Sequence, residues 1–277
     1  VNRTIGGKTL RYVEYFVDPV FDDQEDHFFV DSGLSLDNPI DITAITATNP
    51  VVVTAAGHGL INGDNVKIRN VVGMTELNGK KFTVAGVAGA SFNLTNHLDN
   101  TNIDGTGYTA YESGGEVRET ATTLAGLDHL AGKTVAILAD GATHPNRTVS
   151  ALGAVTLNND YSEVHIGLAY ESIIRGQRIE AGSSLGTAQG KIKRIYEGTI
   201  RFHETVGAKF GTLAVHDVIP FRDSSMAMDV PPALFTGDKT IKFPRGYEEA
   251  GRYYIKQDQP LPLYVLAVIL KMETFDS

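Results

Sequence analysis

The sequence predicts an all-β protein: a discontinuous β-sandwich or barrel-like domain carrying a small inserted β-barrel-like module. Three observations predict it. Period-two or β-branched runs recur at short spacing along the chain. Gly, Asn, Asp and Pro bound these runs, and 29 glycines supply many turns. Helical signals are few; Ser224 to Ala233 holds two prolines, which remove amide donors and make it poor helix material.

The runs follow in order. Leu10 to Phe16 opens the series, followed by Pro50 to Thr54, Asn65 to Arg69, Lys81 to Val87 and Ser91 to Thr95. Lys133 to Leu138 comes next, and Asp140-Gly141 behind it is a hairpin signal, because both residues tolerate positive φ. Ala154 to Leu157, Glu163 to Leu168, Arg194 to Glu204, Thr240 to Phe243 and Leu261 to Met272 complete the series. In the longest of the alternating stretches, Ile192, Arg194, Tyr196, Gly198, Ile200 and Phe202 share one face, and Lys193 to His203 alternate onto the other. Leu261 to Leu270 is apolar on both alternating faces and must be covered on both sides; a core strand of this same chain is the expectation, with a contact between subunits as the alternative.

Residues 42–118 read as a module set inside another domain. Gly57-His58-Gly59-Leu60 and Asn62-Gly63-Asp64 form tight turns feeding Val66-Lys67-Ile68, and the block closes at Ala110 to Gly115. The flanks, Phe28 to Leu34 and Leu124 to Leu130, differ in character. Insertion into an exposed loop is inexpensive when the inserted ends lie close together. Residues 1–41 plus 119–277 are therefore expected to form one discontinuous domain, with 42–118 as the inserted β module.

Composition fits a folded soluble protein: 277 residues, 42% hydrophobic and 21% charged. No uninterrupted apolar stretch spans a bilayer; Leu261 to Leu270 has about half the required length. No basic-then-apolar signal segment opens the chain, and with Val1 in place of an initiator methionine a processed, trimmed or fragmentary chain is the expectation. Cysteine is absent, which excludes disulfides, thiolate metal sites and cysteine nucleophiles. The net charge of -9 argues against a basic surface for reading DNA. Most of the excess lies in residues 1–41, with nine acids against three Lys or Arg, around Asp18, Asp22, Asp23, Glu25 and Asp26. A solvated acidic loop is the expectation there, with a cation or basic partner as the functional alternative.

Four chemical motifs fail on spacing. Leu127 to Thr134 ends in Gly132-Lys133-Thr134 but has Leu127 where a phosphate-binding loop needs Gly, and it leads into a strand instead of a helix. Gly186 to Lys191 has the wrong spacing and lacks the Ser or Thr. Asn100, Asn102, Asp104 and Gly105 resemble half of a calcium loop, yet Tyr111 stands where the bidentate acid belongs. The eight histidines show no metal-ligand spacing, and His58 between two glycines reads as a turn residue. No Gly-x-Ser-x-Gly elbow marks a nucleophile, no acid pair stands out for glycoside hydrolysis, and Trp is absent. The expectation is a protein that is not an enzyme, with no catalytic, cofactor-binding or metal residues and no cofactor.

One set of residues carries a resemblance. Gly126 to Val135, then Leu138-Ala139-Asp140-Gly141, resembles a signature of the tail tubular B, or nozzle, proteins of short-tailed phages. Arg11 to Glu14 and Phe28 to Leu34 look like the segment preceding it; Val164 to Tyr170 and Pro260 to Leu263 look like later landmarks. The chain resembles a middle-to-C-terminal part of such a protein. Gly57 to Gly115 looks like the small β module named for the first catalytic cysteine half-domain of ubiquitin-activating enzymes, which occurs as an insertion in phage tails. Without cysteine or an adenylation domain, ubiquitin-like chemistry is not implied.

The resemblance implies a structural virion protein, assembled in the bacterial cytoplasm into the phage tail. It would form a homo-oligomeric ring, by resemblance a hexamer, around the DNA-exit channel, against other tail and adaptor proteins. DNA would pass transiently and without specificity, and an acidic or neutral lining suits that because a basic one holds phosphates. The alternative is a receptor- or glycan-binding tail appendage, with Tyr108, Tyr111 and His97 of the module as exposed contacts. No membrane-spanning segment is expected in either case.

Overall fold

The computed structural model describes residues 1–5, 7–18, 21, 23–180, 182–183, 186–226, 230–244 and 246–275. Strands hold 51% of the chain and helical turns 2%, so the protein is all-β, and its sheets are sandwich-like with no closed barrel among the described residues. The chain forms two compact units. One comprises residues 1–12, 34–134 and 147–165; the other comprises 13–33, 135–146 and 166–277. Residues 42–118 lie wholly in the first unit.

The first unit is built on seven antiparallel strands: β1 (Pro39–Asp41), β2 (Ala44–Thr46), β3 (Val52–Thr54), β4 (Asn65–Val72), β5 (Lys81–Ala88), β6 (Ser91–Asn96) and β7 (Ser113–Glu119). Their order is β1-β7-β4-β5-β6-β3-β2. The two end strands are consecutive in the chain. Ile42 N–H donates to Gly115 O at 2.9 Å, and Thr43 N–H donates to Thr54 O at 2.8 Å. One bent segment, 39–46, therefore pairs with β7 through its first half and with β3 through its second. This rolls the sheet around Val53, Val66, Ile68, Phe82, Val84, Phe92, Leu94 and Val117, all buried. The period-two pattern supplies these residues from one face of each strand. At Gly73, φ is +91°, and a Cβ there would lie 2.2 Å from Ala110 O, so the turn after β4 requires glycine.

A hairpin of Asn2–Ile5 and Lys8–Arg11 opens this unit. The strand expected over Leu10 to Phe16 stops at Arg11. The ladder reaches Asn2 opposite Arg11, and its last bond is Tyr12 N–H to Val1 O, at 2.8 Å. A strand without a ladder partner is not maintained, and Val13, Tyr15 and Phe16 are exposed.

The second unit packs two antiparallel sheets. One runs β8 (Ser172–Arg175), β14 (Tyr254–Gln257), β10 (Lys209–Gly211), β11 (His216–Val218). The other is built on the 14-residue β9 (Ile192–Thr205), with β12 (Phe235–Lys242) and β13 (Tyr247–Glu248) along one edge and β15 (Val265–Phe275) along the opposite edge. Between them lie Ile200, Phe202, Phe210, Phe221, Phe243 and Ile255. A Cβ at Gly198 would sit 2.6 Å from the Phe210 ring, so glycine in β9 lets that ring seat against the opposing sheet.

Two sequence expectations are corrected here. The single alternation expected along β9 does not hold. Lys193 and Ile195 are buried with Arg194 and Tyr196 out, and then Gly198, Ile200 and Phe202 are in. A bulge between Ile195 and Glu197 inserts one unpaired residue and moves every later side chain to the other face. The core strand expected at Leu261 to Leu270 is instead an edge strand that begins at Val265 and, among the described residues, pairs only with β9. Val268, Leu270 and Met272 pack on the core, whereas Leu266 and Ile269 are 64% and 62% exposed.

Candidate functional site

A buried polar cluster of the first unit gathers around Glu163, in the strand Glu163–Leu168, whose side chain is 1% exposed. The carboxylate meets Arg118 from the end of β7 and Arg69 from β4. Glu163 Oε2 accepts from Arg118 Nη1 at 2.7 Å and from Arg69 Nη1 at 3.0 Å. Arg118 also donates to Asp37 Oδ1 at 2.6 Å and, through Nε, to Glu116 Oε1 at 2.8 Å. Burial disfavours the guanidinium charge, but the Glu116 hydrogen bond and the charges of Glu163, Glu116 and Asp37 outweigh it and raise the Arg118 pKa. Beside it Lys81 Nζ donates to Asp160 Oδ1 at 2.8 Å, and Thr120 donates to Asp160 Oδ2 at 2.9 Å. Burial would raise the Asp160 pKa, yet these partners hold it below the ordinary value of 3.8.

This cluster contains a serine, a histidine and an acid. Ser35 Oγ is 2.6 Å from His165 Nδ1, and His165 Nε2 is 3.6 Å from Glu163 Oε1. The chemistry of a triad does not follow. An orienting acid must hold the imbalance of charge that forms on the imidazole, within hydrogen-bond reach. Glu163 is already neutralised by two guanidiniums, and 3.6 Å exceeds that reach. The cluster acts as an ionic clasp, tying β4 and β7 to residues 35–37 and 160–165. Sequence reasoning missed it because its members are far apart in the chain, and no local spacing signals them.

The second unit has its own charged row. Glu171 accepts from Lys256 at 2.7 Å, and Asp258 accepts from Lys209 at 2.6 Å with Lys256 at 3.7 Å. Burial works against the Asp258 charge, but the two lysines hold its pKa below the ordinary value. His216 lies against this row, its Nε2 shielded and without a hydrogen-bond partner. Burial first, then Lys256 and Lys209, depress its pKa.

The sequence motifs take ordinary structural places. Leu127 and Leu130 are buried around a 3-10 turn at Asp128–Leu130, and Thr134 enters the strand Thr134–Ala139. Gly186 lies in the two-residue strand Gly186–Thr187, and the chain turns at Gly190. In the Asn100 to Gly105 loop, Asp99 accepts from Thr101 N–H and Asp104 from Thr106 N–H, each at 3.0 Å. Those bonds lower both carboxyl pKa values, so the acids serve Asx turns. His58 Nδ1 accepts from Leu60 N–H at 2.9 Å, and its ring meets Phe92 edge-on at 5.2 Å. Asp22 lies outside the described residues; nearby, Gln24 Nε2 donates to Gly141 O and Pro232 O. Among the described residues no group of three or more His, Asp or Glu is placed to hold a metal ion.

Of the three module residues that a receptor- or glycan-binding appendage would use as exposed contacts, Tyr108 and Tyr111 turn inward, as ordinary strand and turn residues do. Tyr111 OH donates to Gly114 O at 2.9 Å and to Ile42 O at 3.1 Å, and both Tyr111 and Tyr108 pack against the module core. A half-buried phenol wins a better partner from backbone carbonyls than from water. Only His97 stays exposed, with Nδ1 3.2 Å from Lys81 O.

Residues 48–120 match the family model of the ubiquitin-activating enzyme E1 FCCH domain. In those enzymes this domain is a small, non-catalytic part. The match covers five of the seven strands of that sheet, β3 to β7, and so bears out the resemblance of the module. No curated protein matches the chain. Among the described residues no helix is long and apolar enough to cross a membrane.

Proposed function

We propose that this chain is a structural component of a phage tail, a nozzle or tubular protein forming part of a ring around the DNA-exit channel. The observation that carries the reading is β15. An 11-residue edge strand that exposes Leu266 and Ile269 and leaves one edge without a ladder among the described residues is a ready subunit contact. Repeated by rotation, a heterologous contact of that kind closes into a ring. The ordered sequence blocks resembling nozzle proteins support the same reading, as does the acidic balance of the chain. The Glu163 clasp fits a structural part, since its charges pair with one another. Homo-oligomeric neighbours, other tail and adaptor proteins, and DNA in transit are the partners this reading requires; the virion tail is its location.

The reading is tested by imaging the intact tail and fitting this chain into the density. Copies related by rotation about the tail axis are the expected result. A single copy at a fibre tip, or a position off the axis, overturns it in favour of a receptor-binding appendage.

A further inference from the structure

A depression of about 400 Å³ opens in the second unit where one end of the β8-β14-β10-β11 sheet meets the segment that follows β13. Arg175 reaches it from the end of β8, Tyr254 from the start of β14, Thr212 and Leu213 from the turn between β10 and β11, Glu248 from the end of β13 and Arg252 from the segment after it. Two alanines complete the wall.

The segment carrying Glu248 and Arg252 is held from beneath. Lys193, fully buried, donates from Nζ to Glu249 O at 2.9 Å. Its stem fills the place where a Cβ on Gly251 would stand, 2.8 Å from Lys193 Cδ, and Gly251 has φ +54°. Glu248 Oε1 accepts from Arg252 N–H at 2.9 Å and closes the loop. The two side chains are thus positioned before any ligand arrives.

The charges in this depression are not spent on each other. Neither Arg175 nor Arg252 forms an ion pair among the described residues, although the chain as a whole is acidic. Arg252 Nε is shielded from water with no hydrogen-bond partner, a costly state for a guanidinium donor. Two uncompensated guanidiniums select an oxyanion, and their planar forks match a carboxylate. The Glu248 carboxylate repels a doubly charged phosphate but accepts from hydroxyl groups. Leu213, the alanines and the Tyr254 ring offer an apolar flank of the kind small ligands use.

We propose that this depression binds a small polyhydroxy carboxylate of the hexuronate class, with the carboxylate on Arg175 and Arg252 and ring hydroxyls on Glu248 and Thr212. The site stands apart from the ring reading and does not depend on it. Saturation-transfer NMR on the full chain with glucuronate as probe tests it. Transfer to glucuronate and none to glucose is the expected result, with a several-fold loss in Arg175→Gln, an exposed residue whose replacement leaves the fold intact by its amide spectrum. Arg252→Gln is expected to lose transfer as well. Absence of transfer, or transfer unchanged in both variants, overturns the proposal. Displacement of glucuronate by equimolar acetate or inorganic phosphate overturns the ligand class, since it shows an oxyanion site indifferent to hydroxyls.

Discussion

Among the described residues each unit buries one Lys or Arg, and the two are satisfied by different means. Arg118 of the first unit is surrounded by Asp37, Glu116 and Glu163 at 2.6 to 2.8 Å. Lys193 of the second unit has a backbone carbonyl at 2.9 Å, and its nearest carboxylate, Glu180, is 3.9 Å away. The difference follows from the side chains. A guanidinium presents five donors in a fixed fork and can bind three acids at once; an ammonium is a point charge on a flexible stem. The first arrangement makes three elements depend on one residue. The second props a loop and leaves the rest of the unit indifferent.

The largest expected effect tests that dependence. Arg118→Met removes the principal partner of Glu163, a carboxylate at 1% exposure that still accepts from Arg69. Breaking a buried pair from one side costs about 3–5 kcal/mol, and the surviving Arg69 bond places this case near the lower figure. Replacing Glu163 by Met in the same chain is expected to return part of the loss, because the stranded charge goes with it. Urea unfolding of the two variants checks this. A double variant no more stable than the single one would show that Arg118 acts through packing and not through charge.

The comparison also explains what the sequence made legible. The strands of the module were readable because each buries a period-two face: Val66 and Ile68, Phe82 and Val84, Phe92 and Leu94. The matched family region covers the same residues. The face reversal in β9 was not readable, since a bulge is set by its partners in β15 and leaves no mark in the local pattern. The place of β15 at an edge is not legible either, because apolar residues on both faces fit a core strand and a subunit contact alike. The clasp joins residues 37, 69, 118 and 163, and the arginine depression joins 175, 212, 248 and 252; no spacing rule reaches so far. Their members look like ordinary surface charges until the chain is folded.

A smaller effect is expected at the other buried cation. Lys193→Met keeps the apolar stem beneath Gly251 and loses only the bond to Glu249 O. Replacing a buried charge by an apolar residue of similar volume is often close to neutral, so the change in unfolding free energy is expected to stay within about 1 kcal/mol. Amide exchange should quicken at residues 249–252 with little change in β9. A loss as large as that of Arg118→Met would mean that Lys193 organises its unit as Arg118 does, and the contrast would fail.

The smallest effect concerns pH and separates the units by protonation. His216 faces Lys256 and Lys209, which oppose its charge, and Asp258 and Glu171, which favour it; burial adds to the lysines and the sum holds its pKa below 6.5 in the fold. The unfolded chain binds the proton nearer 6.5, so between the two values the unfolded state carries protons that the folded state refuses. The stabilisation from neutral His216 is therefore complete above about pH 6.5 and is lost as pH falls through the folded value. Arg118, charged throughout, contributes no slope in that window. The measurement is the difference in urea midpoint between the parent chain and His216→Gln, followed from about pH 7 down to about pH 5. The parent should lose stability faster than the variant on descending. Parallel curves would show that His216 is protonated as readily in the fold as out of it, and that the cations of its sheet leave it unaffected.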